Sequence, residues 1–277
     1  MRAVPVSGAL GAEIVDVDVR DLDDAGFEAL RKLLHEHEVV FIRGVEFTDD
    51  EHIAFAERFG PLRLFPIAKL LGATEPTLQV IADGPDSPPE ADDWHTDVTW
   101  VAEPPDYAVL RATVVPERGG DTLWASMTAA YEALSAPMRA FLDSLTVRHD
   151  NTVFIDAVER KAPDMCEQFD VPNRLRTEYP GVEHPLVRTH PDTGRKSLFL
   201  GGDFMREIVA LRADESATLL DFLRRHIEDA RYHCRWRWAV GDVAIWDERS
   251  TNHRSAGDHF PQHREIRRSE VGGARPR

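Results

Sequence analysis

The chain predicts a mainly β fold with α insertions, a double-stranded β-helix (jelly-roll, cupin-like) core flanked by helices. Three observations carry this. Short segments rich in Val, Ile, Trp and Phe recur along the chain, turn residues separate them as in antiparallel sheets, and amphipathic helical patterns interrupt the series. There is no internal repeat and no low-complexity tract.

From Ala12 to Val19, apolar and acidic residues alternate as in a half-exposed strand. Asp23 or Asp24 then caps a helix whose apolar positions Phe27, Leu30, Leu33 and Leu34 share one side. Val39–Ile42 reads as a buried strand, and Thr48-Asp49-Asp50-Glu51 has the capping-box pattern of a second helix that stops at Gly60-Pro61. Residues 1–60 therefore form a β-α-β lead-in. The turn-rich stretch Gly84–Glu90 delivers the chain to Trp94–Trp100, whose β-branched and aromatic content predicts a strand. A strand from Tyr107 to Val115 leads through Gly119-Gly120 to another that begins at Thr122. Helical patterns cover Thr128–Leu134 and, behind Ser135 as cap with Pro137 in the first turn, the segment to Leu145. Residues 151–183 are charged and show no clear period, which predicts a lid insertion or mobile loop. Strands return at Pro185–Thr189 and Ser197–Leu200, Asp214 caps an amphipathic helix, and Cys234–Trp238 and Asp242–Asp247 read as further strands. His253, a polar loop and the basic run His263–Arg268 follow.

At 277 residues the chain fits one large domain or two small ones, and closure into a barrel favours one domain over 1–277. A net charge of −16 argues against nucleic acid and anionic membrane partners, because no basic field exists to displace counterions. The expected partner is a small anionic molecule captured by a few local arginines, and homo-oligomers are compatible with the sequence. Two cysteines, Cys166 and Cys234, make no disulfide framework, and no apolar segment follows Met1–Pro5, so a soluble cytoplasmic protein is expected.

The chemistry starts at Trp94–Trp100. On a strand, i and i+2 side chains share a face, so His95 and Asp97 would converge while Thr96 turns away. One imidazole and one carboxylate are part of a metal site, and a second imidazole would complete a 2-His-1-carboxylate facial set with open positions, the pattern of non-haem Fe(II) oxygenases. Spacing alone also fits an ordinary hydrogen-bonded pair. Among twelve histidines, His35 and His37 read as surface residues of the first helix, and His184 and His190 as turn or core residues. His253, just beyond the apolar Asp242–Asp247 strand, is the best third ligand by organisation, although spacing leaves His259 and His263 open. Arg264, Arg267 and Arg268 either form a solvated face or, on a strand, send Arg264 and Arg268 into one cavity, where a guanidinium fork matches a carboxylate or sulfo-type oxyanion.

Six stretches, in one order, resemble a known family: Val39–Gly44, Trp94–Thr99, Gly119–Trp124, His184–Pro191, Gly241–Asp247 and Gln262–Arg264. The chain is similar over nearly its whole length to the Fe(II)/2-oxoglutarate-dependent dioxygenases of the taurine dioxygenase and alkylsulfatase (TauD/TfdA-like) type. The resemblance implies iron ligands at His95, Asp97 and His253, a 2-oxoglutarate carboxylate anchor at Thr122 and Arg264, and Arg268 facing the anionic end of the prime substrate. It implies Fe(II), 2-oxoglutarate and O2 as cofactor and co-substrates, with succinate and CO2 formed as a substrate C–H is hydroxylated. If the hydroxylated carbon carries a sulfate, sulfonate, ether or amine, the adduct collapses with bond cleavage. A carboxylate at Asp97 argues against a halogenase, since it fills the position a halide would need. Where the taurine enzymes have a histidine at the sulfonate and an asparagine near the amine, this chain has Phe65 and Ala91. With Val98, Ile155 and Phe204 as further walls, the expected pocket is apolar and poorly suited to a small zwitterion. Two other readings use the same ligands: a cupin-like metal-binding protein without oxygenase activity, and a zinc hydrolase. Neither has a use for Arg264 and Thr122.

Overall fold

In the computed structural model, which describes residues 1–89 and 93–277, strands β1 (Arg2–Pro5) and β2 (Ala12–Val15) precede helix α1 (Asp24–His37), β3 (Val39–Ile42), α2 (Asp49–Glu57) and α3 (Pro66–Leu70). β4 (Gln79–Asp83), β5 (Tyr107–Val114) and β6 (Thr122–Ser126) lead to α4 (Met127–Glu132), α5 (Ala136–Leu142) and β7 (Thr146–His149). Three short helices follow, α6 (Thr152–Lys161), α7 (Pro163–Phe169) and α8 (Val171–Glu178). Then come β8 (Val182–Pro185), β9 (Val187–Thr189), β10 (Lys196–Leu198), β11 (Met205–Ile208), α9 (Ala213–Ile227), β12 (His233–Trp236), β13 (Val243–Asp247), β14 (Thr251–Ser255) and β15 (Arg264–Val271).

The major sheet has the order β1-β2-β3-β13-β5-β15-β4 and faces a smaller sheet of order β12-β6-β14. All pairings are antiparallel except β2 with β3, which α1 connects in the expected β-α-β manner. Side-chain alternation on β13 shows how the layers form. Ala244 and Trp246 point inward and pack with Phe41, Trp124, Trp236 and Ile266 between the two sheets. Val243 and Ile245 point outward, against Phe27, Leu30 and Leu34 of α1 and Phe55 of α2. The result is a mainly β, largely antiparallel jelly roll with helices on its outer faces. No helix among the described residues is long and apolar enough to cross a membrane.

The local signals that set helix starts act as expected at two places. Asp23 Oδ1 accepts from Gly26 N at 2.7 Å to cap α1, and Thr48 and Glu51 close a reciprocal capping box on α2. At α9 the cap is Arg212 rather than Asp214, with Glu215 accepting from Arg212 N. The strand read over Ala12–Val19 is shorter, β2 ending at Val15, because Asp16 takes φ +58 and a 3-10 turn covers Val19–Asp21.

Three expectations are corrected. Trp94–Trp100 is not a strand: only His95 bridges to His253, and a turn follows in which Val98 adopts φ +50. Tertiary contacts override β propensity here, since Thr96 Oγ1 donates within β14 and Asp97 N donates to the Glu248 carboxylate at 3.2 Å. Residues 151–183 are not an unpatterned loop but α6, α7 and α8, whose Ile155, Val171 and Leu175 are buried against Leu70 and Trp100. Their apolar positions are too few per helix to give a visible period. His35 is not a surface residue either, because its Nε2 lies 2.7 Å from the Tyr107 hydroxyl and its ring packs on His190.

Candidate metal centre

The His95–His253 bridge, with backbone hydrogen bonds in both directions at 3.1 and 2.9 Å, fixes two imidazoles side by side with ring centroids 4.3 Å apart. The turn after His95 then swings the Asp97 carboxylate toward both. His95 Nε2 lies 3.6 Å from Asp97 Oδ1 and His253 Nε2 lies 3.9 Å from Oδ2. Each residue offers a ligand atom within 4.8 Å of the other two, at separations beyond ordinary hydrogen bonding. Convergence of two nitrogen donors and one oxygen donor without mutual hydrogen bonds fits a divalent iron ion. His95 Nδ1 donates to Asp93 O at 2.8 Å, which leaves Nε2 as the lone-pair atom facing the centre. Gly202, at φ +59, makes room: a Cβ there would meet Trp94 O at 2.6 Å and His95 Cβ at 3.0 Å.

The electrostatics suit ligation. Burial, and then the neighbouring His95, push the His253 pKa down to about 3, so its imidazole is neutral. Burial alone would raise Asp97, but Arg268, His253 and His95 outweigh it and hold this carboxyl near 2. Behind it, Glu248 is raised well above the carboxylate range by burial and by Asp97, while its oxygens accept from Asp97 N and Trp246 Nε1.

β15 presents Arg264 and Arg268 to the same interior. Arg264 is 5% exposed; its Nε donates to Gly120 O at 3.0 Å and its Nη2 to Thr122 Oγ1 at 3.3 Å. Thr122 Oγ1 also accepts from Trp238 Nε1 at 3.0 Å. With both lone pairs taken, the hydroxyl hydrogen is free to donate to a carboxylate. Arg264 Nη1 meanwhile faces Asp83 Oδ2 at 3.5 Å. Arg268 donates to Asp97 Oδ2 at 2.7 Å and to Gln79 Oε1 at 2.7 and 3.2 Å, and lies 3.3 Å from Glu270.

Phe65, Val98, Ile155 and Phe204 belong to one apolar cluster with Leu70, Trp100 and Leu175, next to Asp97 in the chain at Val98. Phe154 meets Phe65 edge-on at 5.8 Å and stacks on Trp100 at 5.6 Å. Ala91 lies outside the described residues. His259 and His263, left open by spacing, are not in the three-residue group; His259 lies 3.4 Å from Asp83 instead. Sequence reasoning missed Gln79, Asp93, Glu248 and Trp238. Gln79 and Glu248 act on partners distant in sequence and carry no local signal, Asp93 acts on nearby His95 through a backbone carbonyl that any residue could supply, and Trp238 lay on a strand already read as alternating.

A family profile described as taurine catabolism dioxygenase TauD, TfdA family matches residues 2–269. An α-ketoglutarate-dependent sulfate ester dioxygenase of Pseudomonas putida is 37% identical, over 98% of this chain and 89% of its own length. An α-ketoglutarate-dependent 2,4-dichlorophenoxyacetate dioxygenase of Cupriavidus pinatubonensis is 31% identical over 96% of each chain. The solved structure of a taurine dioxygenase from Burkholderia xenovorans superposes with a TM-score of 0.80 at 32% identity, covering 99% of this chain and 92% of that one.

Proposed function

From the premise that the chain belongs to the TauD/TfdA family and is an α-ketoglutarate-dependent dioxygenase using Fe(II), 2-oxoglutarate and O2, we propose that it hydroxylates a C–H of a small, rather apolar substrate with one anionic end. The observation that carries the reading is the meeting, around Asp97, of three convergent ligand atoms, one guanidinium and an apolar wall.

In this reading His95, Asp97 and His253 would hold the iron, which with O2 and 2-oxoglutarate would supply the oxidising power. With only three protein donors, an ion held there would still be able to take 2-oxoglutarate and O2. Arg264 and the Thr122 hydroxyl bind the far carboxylate of 2-oxoglutarate, and the fork of Arg264 exchanges its contact with Asp83 for that carboxylate. Arg268, kept in place by Gln79, binds the anionic end of the prime substrate. Phe65, Val98, Ile155 and Phe204 surround the apolar part and exclude water. One substrate C–H, one O2 and one 2-oxoglutarate give one alcohol, one succinate and one CO2. When the new hydroxyl shares its carbon with a sulfate or aryl ether oxygen, the product falls apart to a carbonyl compound and the released sulfate or phenol.

Two relatives carry names that match such a pocket, one acting on sulfate esters and one on an aryloxyacetate. The test is succinate formation with and without Fe(II), O2 and each member of a panel of alkyl sulfates, alkyl sulfonates, aryloxy carboxylates and taurine. We expect all three components to be required and medium-chain or aryl anions to outperform taurine. Product release without O2 would overturn the reaction class, and a preference for taurine would overturn the substrate class.

A further inference from the structure

On another face, the described residues enclose a cavity of about 280 Å³ whose lining includes Asp106, Arg188, Thr189, Arg249, Arg275 and Arg277. Four guanidinium groups meet one side-chain carboxylate there, in a chain whose net charge is −16. Asp106 Oδ2 accepts from the neutral Gly273 N at 2.8 Å, and one guanidinium is already ion-paired, that of Arg249, which donates to both oxygens of Asp247. Arg188 is not. It is 97% buried, yet its hydrogen bond goes to a neutral acceptor, the Glu248 carbonyl, and its Nε has no partner. Its guanidinium also lies over the Phe199 ring, 4.0 Å away. Burial pushes this guanidinium down to about 9 even though Asp247, Glu248 and, within the same cavity, Asp106 pull it upward without touching it. Arg275 and Arg277 make no side-chain hydrogen bond or ion pair among the described residues, while the Arg277 carbonyl accepts from Thr189 N at 2.7 Å and holds this segment over the cavity.

A buried cation with no carboxylate in contact is costly, and an anion of matching shape that reaches it lowers that cost. The volume falls just below the roughly 300–1,000 Å³ of organic-ligand pockets, which selects a small occupant. A guanidinium fork pairs two oxygens of such an ion at once. We propose that this cavity is a second anion site that takes a small oxyanion of the sulfate class, with Arg188 as its buried anchor and Arg275 and Arg277 as its outer ligands. It shares no side chain with the iron-facing cavity. Glu248 touches both, with its carbonyl accepting from Arg188 and its carboxylate from Asp97 N.

The experiment is calorimetric titration of the full chain, loaded anaerobically with Fe(II) and 2-oxoglutarate, with sodium sulfate against sodium chloride at matched ionic strength. Sulfate is expected to bind where chloride does not. Arg275→Ala, on an exposed residue, is expected to raise the sulfate Kd about tenfold with turnover unchanged. Arg188→Met is expected to abolish binding; should that variant fail to fold, Arg275→Ala decides alone. Sulfate no better than chloride, or a Kd untouched by Arg275→Ala because the ion goes to Arg264 or Arg268, overturns the proposal.

Discussion

The inner, sheet-borne side of the reaction cavity and its helical side are built by opposite means. Arg264, Thr122, Arg268 and Gln79 all lie on strands of the two facing sheets, and their polar groups hold one another. Asp97 is fixed by Glu248 and Arg268 although no strand carries it. On the other side, α3, α6 and α8 contribute Phe65 at a helix cap, Ile155 and Leu175, whose side chains meet through ring and aliphatic contacts alone. Hydrogen bonds fix direction and distance, whereas apolar contacts fix only volume. Under the proposed function, the sheets carry the reaction and the grip on the substrate's anionic end, the helices choose its apolar part, and the two halves should be separable by mutation.

The largest effect is expected from the sheet side. Asp97→Ala removes the only anionic ligand of the three and is expected to abolish turnover and the visible charge-transfer band of the anaerobic Fe(II)–2-oxoglutarate complex. A normal band in that variant would break the assignment of Asp97. Arg264→Ala comes next. A charge-assisted contact contributes about 1.5–3 kcal/mol, so the KM for 2-oxoglutarate is expected to rise roughly 10- to 100-fold with a smaller change in kcat. A rise in the KM of the prime substrate instead would exchange the roles of Arg264 and Arg268.

The helical side is expected to respond more gently. Phe65→Ala removes a half-buried ring worth about 1.5 kcal/mol of contact, and kcat/KM for long-chain or aryl anions is expected to fall about tenfold. The KM for 2-oxoglutarate should stay put; if both move together, the two halves are not independent. The same division explains what could be read in advance. Val39–Ile42, the Thr48 capping box and Asp242–Asp247 announce themselves through neighbours in sequence, and Arg264 and Arg268 share a face of β15 as strand spacing requires. His95 and Asp97 do converge, but through a bridge and a turn rather than through strand alternation, so the pairing was legible and its cause was not. α6 to α8 escaped notice because each buries only one or two side chains, too few to imprint a helical period on a charged segment.

The smallest effect concerns what holds the turn itself. Thr99 Oγ1 lies 2.9 Å from His149 Nδ1, and His184 Nε2 donates to Thr99 O and Val101 O at 2.9 and 3.0 Å. Burial pushes His149 down to about 3 and His184 to about 4 from an unfolded value near 6.5. Below pH 6.5 the unfolded chain takes up protons that the folded chain refuses, so each histidine contributes stability that is full above pH 6.5 and drains away as the pH falls toward the folded value. The slope is about 1.4 kcal/mol per pH unit for each group. Glu38 and Glu270, both raised to about 7 by burial, oppose this trend because they bind protons in the folded state first. The wild-type curve therefore mixes both signs, and the informative quantity is a difference. His149→Gln is expected to make denaturant stability between pH 6.5 and 5 less steep in pH by about one proton, whatever its stability at pH 7. An unchanged slope would mean that His149 takes its proton while still folded, and that the turn beneath the metal centre is looser than its hydrogen bonds imply.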